Sequence, residues 1–394
     1  MNKNIKYPLC VSTWDKEEIR AMNEVIATGM FTQGKLVKKF EREFASFFGS
    51  KYACLVNSGS SANLLAIASL FYRKNNPLQR GDEVIVPAVS WATTYAPLQQ
   101  FGLKVKFVDI DLETLNISTK SLRENISENT KLVLGVNLLG NSVDAKEILK
   151  IVNSQKEPPI FVEDNCESMG AEYFNKFTGT HGLVGTYSMF FSHHISTMEG
   201  GVIVTDDEEI YQILLSIRSH GWTRGVDTSF FDGKNKEDFY NSFKFILPGY
   251  NVRSGELNAA IGLEQLKKLP KFLERRRKNA KLFQTLCKKY NNFFSTQRET
   301  GKSSWFGFAI LCKTPSIRNK LVAAFAENNI EARPIVAGNF VKNPVIKFYD
   351  YTVDKNGLLN SNIVHNNGLF IGNNHIPMEK MLAHLDMVLQ KALL

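Results

Sequence analysis

Residues 52–63, YACLVNSGSSAN, read as a short apolar strand that breaks into a Gly/Ser turn and opens a helix running from Ser61 to Arg73. Outward from it, the runs DEVIVP (82–87), VKFVDI (105–110), KLVLGVN (131–137) and PIFVED (159–164) are compact and rich in β-branched residues, and helical or turn segments separate them. This βαβ rhythm predicts an α/β fold on a mostly parallel sheet covered on both faces. Ahead of it, residues 15–29 and 35–48 predict amphipathic helices, and beyond it SMFF (188–191) and VIVTD (202–206) predict two further strands around a Gly-Gly turn. A helix-rich stretch from Gly255 to Tyr290 follows, then WFGFAIL, IRNKLVAAFAENN and IEARPIV, an α+β pattern with its own core. The pattern divides near residue 265 into a large domain, 1–265, and a smaller C-terminal one, 266–394.

A chain of 394 residues has room for those two domains. The cysteines stand at 10, 54, 166, 287 and 312 with no CxxC pair, so neither a metal site nor an iron–sulfur cluster is expected. The N-terminus, MNKNIKYPLC, lacks an apolar signal-like region, and no stretch approaches the roughly 20 apolar residues that span a bilayer. A cytoplasmic protein with no membrane partner is expected. The net charge of +9 suits nucleotide diphosphates as well as nucleic acid. Its densest run, Arg275-Arg276-Arg277-Lys278, follows Leu266, Leu269 and Phe272-Leu273 at helical spacing and reads as a solvated helix face. No nucleic-acid module frames it, so nucleic acid is not expected as a partner.

Four segments at strand ends or helix starts carry candidate chemistry, where ligands of α/β sheets bind. In Asn57-Ser58-Gly59-Ser60-Ser61-Ala62-Asn63, small residues let backbone approach a ligand, and free N–H groups at the helix start suit a phosphate. A plain N-cap turn uses the same residues. Trp91, soon after a strand, is placed either to stack on a flat ring or to fill the core. In Glu163-Asp164-Asn165-Cys166-Glu167, a strand-end carboxylate could pair with a protonated ring nitrogen or cap a helix. The fourth segment, residues 188–201, reads SMFFSHHISTMEGG. Its two histidines are neighbours, which point to opposite faces of a strand and make a poor metal pair. One of them could face the site while the other packs away.

The order of these segments resembles the DegT/DnrJ/EryC1/StrS family of sugar aminotransferases: phosphate loop, Trp, strand-end Asp, then Ser-x4-His-x5-Glu-Gly-Gly. The resemblance runs nearly end to end, through FTQGKLVKKFEREFASFFGSKYACLVNSGSSAN, GDEVIVPAVSW, VEDNCESMG, MEGGVIVTDD, RSHGWTR, LPGYNVR, LNAAIGLEQLKKLP and IEARPIV. It implies the fold of the type I, aspartate-aminotransferase-like PLP enzymes. It also implies a homodimer that shares its active sites.

One departure decides the expected reaction. Aminotransferases of the family carry Lys six residues before the Glu of Glu-Gly-Gly, and here that position is His193. Imidazole cannot form a Schiff base with PLP, but with an ordinary pKa of about 6.5 it can move protons. The His variant resembles the family's sugar 3-dehydratases, and the missing cluster cysteines, together with Glu167, point to their cluster-free, GDP-sugar branch. That resemblance implies an untethered PLP/PMP cofactor with L-glutamate as co-substrate. His193 would take a proton from the cofactor methylene and assist loss of the carbon-3 hydroxyl. The expected substrate is GDP-4-keto-6-deoxy-D-mannose or a GDP-4-keto-6-deoxyheptose, with ammonia and 2-oxoglutarate released. By the same resemblance Gly59, Ser60 and Ser188 hold the cofactor phosphate, with Asn251 reaching it from the partner subunit. Trp91 lies against the ring, Asp164 faces its nitrogen and Glu167 its hydroxyl. His220 and Arg253 receive L-glutamate, while Gly29, Met30, Phe31, Thr32, Arg224 and Glu331 contact the sugar nucleotide. His194 is expected to be structural. Two other readings stand beside this one: an aminotransferase that uses a different lysine, and an idle PLP-fold regulator.

Overall fold

The structure is a computed structural model that describes residues 6–231 and 243–394. Its strands are β1 (Tyr52–Val56), β2 (Glu83–Pro87), β3 (Lys104–Val108), β4 (Thr130–Val136), β5 (Ile160–Asp164), the short hairpin β6 (Glu172–Tyr173) and β7 (Lys176–Phe177), β8 (Val184–Ser188), β9 (Gly201–Thr205), β10 (Phe294–Ser295), β11 (Gly307–Cys312), β12 (Ala332–Arg333), β13 (Tyr351–Val353) and β14 (Gly368–Gly372). The helices are α1 (Lys16–Thr28), α2 (Lys35–Phe48), α3 (Gly59–Tyr72), α4 (Ala92–Gln100), α5 (Thr119–Asn125), α6 (Ala145–Asn153), α7 (Glu208–Ile217), α8 (Glu256–Lys288), α9 (Pro315–Glu327), α10 (Leu359–Asn367) and α11 (Glu379–Leu393).

Eight strands form one sheet in the order β1-β9-β8-β5-β4-β2-β3-β13. Only β9 runs against the others, pairing antiparallel with β1 and β8. Both faces are buried, which is why its strands are continuous apolar runs rather than alternating ones. The two-residue period still sorts the side chains. Cys54 and Val56 of β1 join the core under α3, α4 and α7. Ala53 and Leu55 face the core formed with α2 and the first part of α8. A second, four-stranded antiparallel sheet, β10-β11-β14-β12, packs with α9, α11 and the last turns of α8, where Phe283 stacks on Phe308 at 4.2 Å.

Helix α8 spans 33 residues without a break, and residue 265 lies inside it. Leu263, Leu266 and Leu269 pack in the large-sheet core, and Ala280, Phe283 and Leu286 in the small-sheet core. The chain also crosses between the sheets twice. Tyr7 is buried in the small core and donates from its hydroxyl to Gly372 O (2.9 Å), and β13 returns to pair with β3 at the edge of the large sheet.

Two local expectations change. SMFF is not a strand: β8 ends at Ser188, and the rings of Phe190 and Phe191 are exposed. Its neighbour β5 ends at Asp164, paired as far as Thr186, so the backbone beyond has no strand to bond. Residues 189–200 instead form a loop whose ends meet through Met189 N–H to Gly200 O (2.8 Å). The basic run is not a solvated face either. Arg276 is 2% exposed, and Arg277 donates to Ser303 O, to Gly170 O and to Glu172. Leu266, Leu269, Leu273, Arg276, Ala280 and Phe283 follow one another at steps of three and four, so Arg276 occupies a core position of the helix.

Candidate active site

A cleft of about 590 Å³ opens at the carboxyl ends of β5 and β8 and the start of α3, and is closed by the Phe306 turn, β12 and the Leu9–Cys10 segment. Its floor is Asp164, the last residue of β5. Asn63 Nδ2 (2.9 Å) and Thr94 Oγ1 (2.7 Å) donate to Oδ2, and the Cys166 N–H donates to Oδ1 (3.1 Å). Asn63 is itself held by Thr186 Oγ1 (2.6 Å), and Thr94 by Ser90 (2.8 Å). Donors from α3 and α4 thus lock the carboxylate in one orientation.

Three residues on, the half-buried Glu167 accepts from the Leu139 N–H (3.0 Å). Burial pushes its carboxyl up to about 7, nearby Asp164 adds to the rise, and the Leu139 bond opposes it. Glu167 can therefore be a hydrogen-bond donor near neutral pH.

Beside the floor lies the N-terminus of α3. Ser58 caps it, accepting from Ser61 N–H (3.1 Å), and Ser60 Oγ donates to Thr93 Oγ1 (3.0 Å). Gly59 is needed for close approach: a Cβ there would lie 2.6 Å from Ser188 Cβ and 3.1 Å from Cys166 Sγ. Ser188 accepts from the Phe190 N–H (3.3 Å). Small residues and free helix N–H groups form a cradle of anion-binding character. Trp91, 58% exposed at the N-cap of α4, lines the same cleft.

His193 stands on the cleft wall in the 189–200 loop, its ring 5.1 Å from that of Phe306 and edge-on to it. Burial first, and then Arg276, pull its imidazole down to about 3. His194 is fully buried with Nε2 against Ser304 O (3.3 Å), and burial first, then Arg276, hold its pKa well below the ordinary value. Among the described residues no lysine lines the cleft.

The model of the DegT/DnrJ/EryC1/StrS aminotransferase family matches residues 12–372. The chain belongs to this family. It is 53% identical to GDP-4-keto-6-deoxy-D-mannose 3-dehydratase of Yersinia pseudotuberculosis, over 98% of this chain and 99% of that one. The Escherichia coli GDP-4-keto-6-deoxy-D-mannose-3-dehydratase, solved with bound hydrated PLP, superposes with a TM-score of 0.95 at 54% identity, covering 98% of this chain and 99% of that chain. A GDP-4-keto-6-deoxymannose-3-dehydratase structure with a trapped PLP-glutamate geminal diamine gives 0.94 at 53%, covering 97% and 100%. The fold is the PLP-dependent transferase fold of type I, as the family implies.

Measured against the family reading, the floor residues Gly59, Ser60, Trp91, Asp164, Glu167 and Ser188 and the wall residue His193 all line one cleft. The remaining candidates do not line it within this chain. Asn251, His220 and Arg253 form a cluster of their own: Arg253 donates to Asn251 Oδ1 (3.1 Å) and Ser219 Oγ (3.2 Å) and meets His220 Nε2 at 3.3 Å. The Asn57 N–H to Val252 O bond (2.9 Å) ties that segment to the end of β1. Gly29 ends α1 in a left-handed turn, Met30 and Phe31 are exposed, and Phe31 O accepts from the Glu256 N–H (3.1 Å). Arg224 is exposed, and Glu331 accepts from the Leu9 N–H at one oxygen, Oε2 (2.8 Å).

Several cleft residues escaped the sequence reading. Asn63 carried a signal: it lies four residues after Gly59, on the same helix face. Thr94, three residues after Trp91, carried a similar one. Phe306 and Arg333 carried none, because long-range packing brings them to the cleft.

Proposed function

We propose that the chain is a PLP/PMP- and L-glutamate-dependent 3-dehydratase of a GDP-linked 4-keto-6-deoxy sugar, yielding the 4-keto-3,6-dideoxy sugar, ammonia and 2-oxoglutarate. The observation that carries the reading is His193 on a cleft wall that has no lysine among the described residues, above a floor built for a pyridoxal cofactor. The floor fits that group by its own chemistry. The space that a Gly59 side chain would fill, next to the α3 N-terminus, suits the phosphate, and the fixed Asp164 carboxylate suits a protonated ring nitrogen. Names of relatives at 53–54% identity support the GDP-sugar substrate, and the glutamate adduct in one of them supports the co-substrate.

When bound, the cofactor supplies an amine for the sugar carbonyl and a sink for the electrons of the broken C–H bond. The chain's own residues do the rest. Asp164 pairs with the ring nitrogen and keeps it charged. Trp91 covers a ring face, and Glu167 donates to or accepts from the ring hydroxyl. Neutral His193 accepts the proton from the cofactor methylene carbon. It then delivers that proton to the carbon-3 oxygen, which leaves as water.

Gly29 to Thr32, Arg224 and Glu331 are assigned to the sugar nucleotide, and His220 and Arg253 to L-glutamate. Asn251 is assigned to the cofactor phosphate of a second copy. This last assignment implies a homodimer and accounts for side chains that line no cleft in their own chain. A cytoplasmic setting suits the five cysteines, all free. No helix among the described residues is long and apolar enough to cross a membrane.

The test supplies PLP, L-glutamate and the GDP-4-keto-6-deoxyhexose or its heptose counterpart. Ammonia and 2-oxoglutarate should appear in step with the deoxy product. Replacing His193→Asn should lower dehydration by about 10²–10⁴-fold with cofactor absorbance retained. Undiminished turnover, or an aminosugar product, would overturn the assignment. The two sugars differ by one carbon, a pocket difference of only ~1–3 kcal/mol, so the ratio of their kcat/KM values decides between them.

A further inference from the structure

Arg276 is a buried cation without a carboxylate. Its guanidinium Nη1 donates to three carbonyl oxygens, Trp305 O (3.4 Å), Phe306 O (3.1 Å) and Asn373 O. Its Nε is buried with no partner, and among the described residues no acid forms an ion pair with it. Burial pulls its guanidinium down to about 10, still far above neutrality, so it stays charged. Burying an unpaired charge is costly, and an apolar side chain would continue the Leu266–Phe283 stripe. The arginine therefore has a use beyond packing.

That use lies across the Trp305–Phe306 turn. The turn is stitched on every side. Asn373 Nδ2 donates to Trp305 O (2.8 Å), and the Phe306 N–H donates to Leu139 O (3.1 Å), whose own N–H binds Glu167. The Phe306 ring lies against both His193 (5.1 Å) and His194 (5.6 Å). Behind His193 the Nδ1 atom is buried with no acceptor. A protonated imidazole needs an acceptor for each ring N–H, so the geometry around Nδ1 favours the neutral ring.

We propose that Arg276 is a positioning residue for His193: it fixes the ring's back wall through the Trp305–Phe306 turn and, as a buried cation, makes the protonated imidazole a transient species. The inference rests on the dehydratase reading. The C–H proton taken by His193 must move on to a poor leaving group, the carbon-3 hydroxyl. A buried imidazolium that feels a fixed cation is a stronger acid than a free one, so it passes the proton on instead of keeping it. Burial is the main cause of the depressed pKa of both histidines, and Arg276 is the strongest charge acting on each, which agrees with this. The other titratable groups near His193 are His194 on the same loop, Glu199 farther along it, Asp164, Cys166 and Glu167 at the end of β5, and Cys10 and Arg333 on the small-sheet side.

Ring-labelled histidine NMR of the holoenzyme tests the proposal, with His193 identified by its loss in His193→Asn. In the unmodified enzyme the His193 ring should stay neutral from pH 8 down to pH 4.5. In Arg276→Gln it should begin to protonate within that range, and the acid limb of the kcat/KM profile should rise with it, by on the order of one pH unit. Arg276→Lys, whose shorter cation sits farther from Phe306, should shift both readouts less, and it carries the test if the Gln variant does not fold. A His193 that titrates near 6.5 in the unmodified enzyme, or stays equally neutral in whichever Arg276 variants fold, overturns the proposal. Dehydration that survives His193→Asn overturns the functional reading instead, and the titration still reports what Arg276 does to the ring.

Discussion

The cleft floor and its rim are built in opposite ways. On the floor both acids have partners from their own chain, Asp164 under Asn63, Thr94 and the Cys166 N–H and Glu167 on the Leu139 N–H. At the rim Met30, Phe31 and Arg224 are exposed, while Asn251, His220 and Arg253 bond to one another rather than facing the cleft. A floor of this kind is organised before any ligand arrives, which is what electrostatic catalysis requires. Under the proposed function, these side chains would be completed by something outside the single chain, a second copy or the sugar nucleotide.

The sharpest way to break this contrast is to remove the floor's carboxylate. Asp164→Ala deletes the proposed partner of the ring nitrogen and strands the Asn63 and Thr94 donors, so kcat should fall by on the order of 10²–10³ with weaker cofactor binding. Steady-state kinetics and absorbance titration measure both. Gly59→Ala comes next. Its methyl group would collide with Ser188 and Cys166, which should cost about 1–3 kcal/mol in thermal stability and cofactor affinity together. If cofactor affinity holds, Gly59 does not mark the phosphate cradle.

At the rim the expected losses are smaller and depend on assembly. Asn251→Ala should weaken cofactor binding by roughly 10–100-fold, the value of a bond to a charged group. Mixing inactive His193→Asn protein with Asn251→Ala protein should then recover activity, because one of the two sites in a mixed dimer would be intact. No recovery, together with monomeric sedimentation, would make the rim a single-chain feature.

The smallest effect concerns Glu167 in cofactor-free protein. Its folded pKa of about 7 lies above the ordinary 4.5, so the folded state binds its proton more tightly than the unfolded state does. Stability from this group is full below about pH 4.5, declines as pH rises toward 7, and levels off above it. Glu167→Gln should remove that decline, and its melting temperature should gain on the parent between pH 5 and pH 8.

Much of the floor was legible because its signals are local. YACLV coincides with β1, and the Gly/Ser turn opens α3 at Gly59, two residues ahead of the expected Ser61 start. Even the wrong assignment of SMFF was a local one. Phe-Phe has strand propensity, but β5 ends at Asp164 and leaves residues 189–191 without a strand to bond. Arg276 was legible and missed: charge suggested solvent, while steps of three and four from Leu266 placed it in the core.

The amino-acid order by itself determined the sheet, the phosphate turn, the strand-end acid and the substitution of His193 for the family's lysine. These depend on residues a few positions apart, within reach of one strand or one helical turn. Tertiary structure decided what surrounds that histidine. Phe306 packs on it from 113 residues farther along the chain and is held by Arg276, 83 residues along, by packing that no periodicity encodes. Burial there, and then Arg276, pull the imidazole well below its ordinary pKa, which the identity of the residue alone does not do.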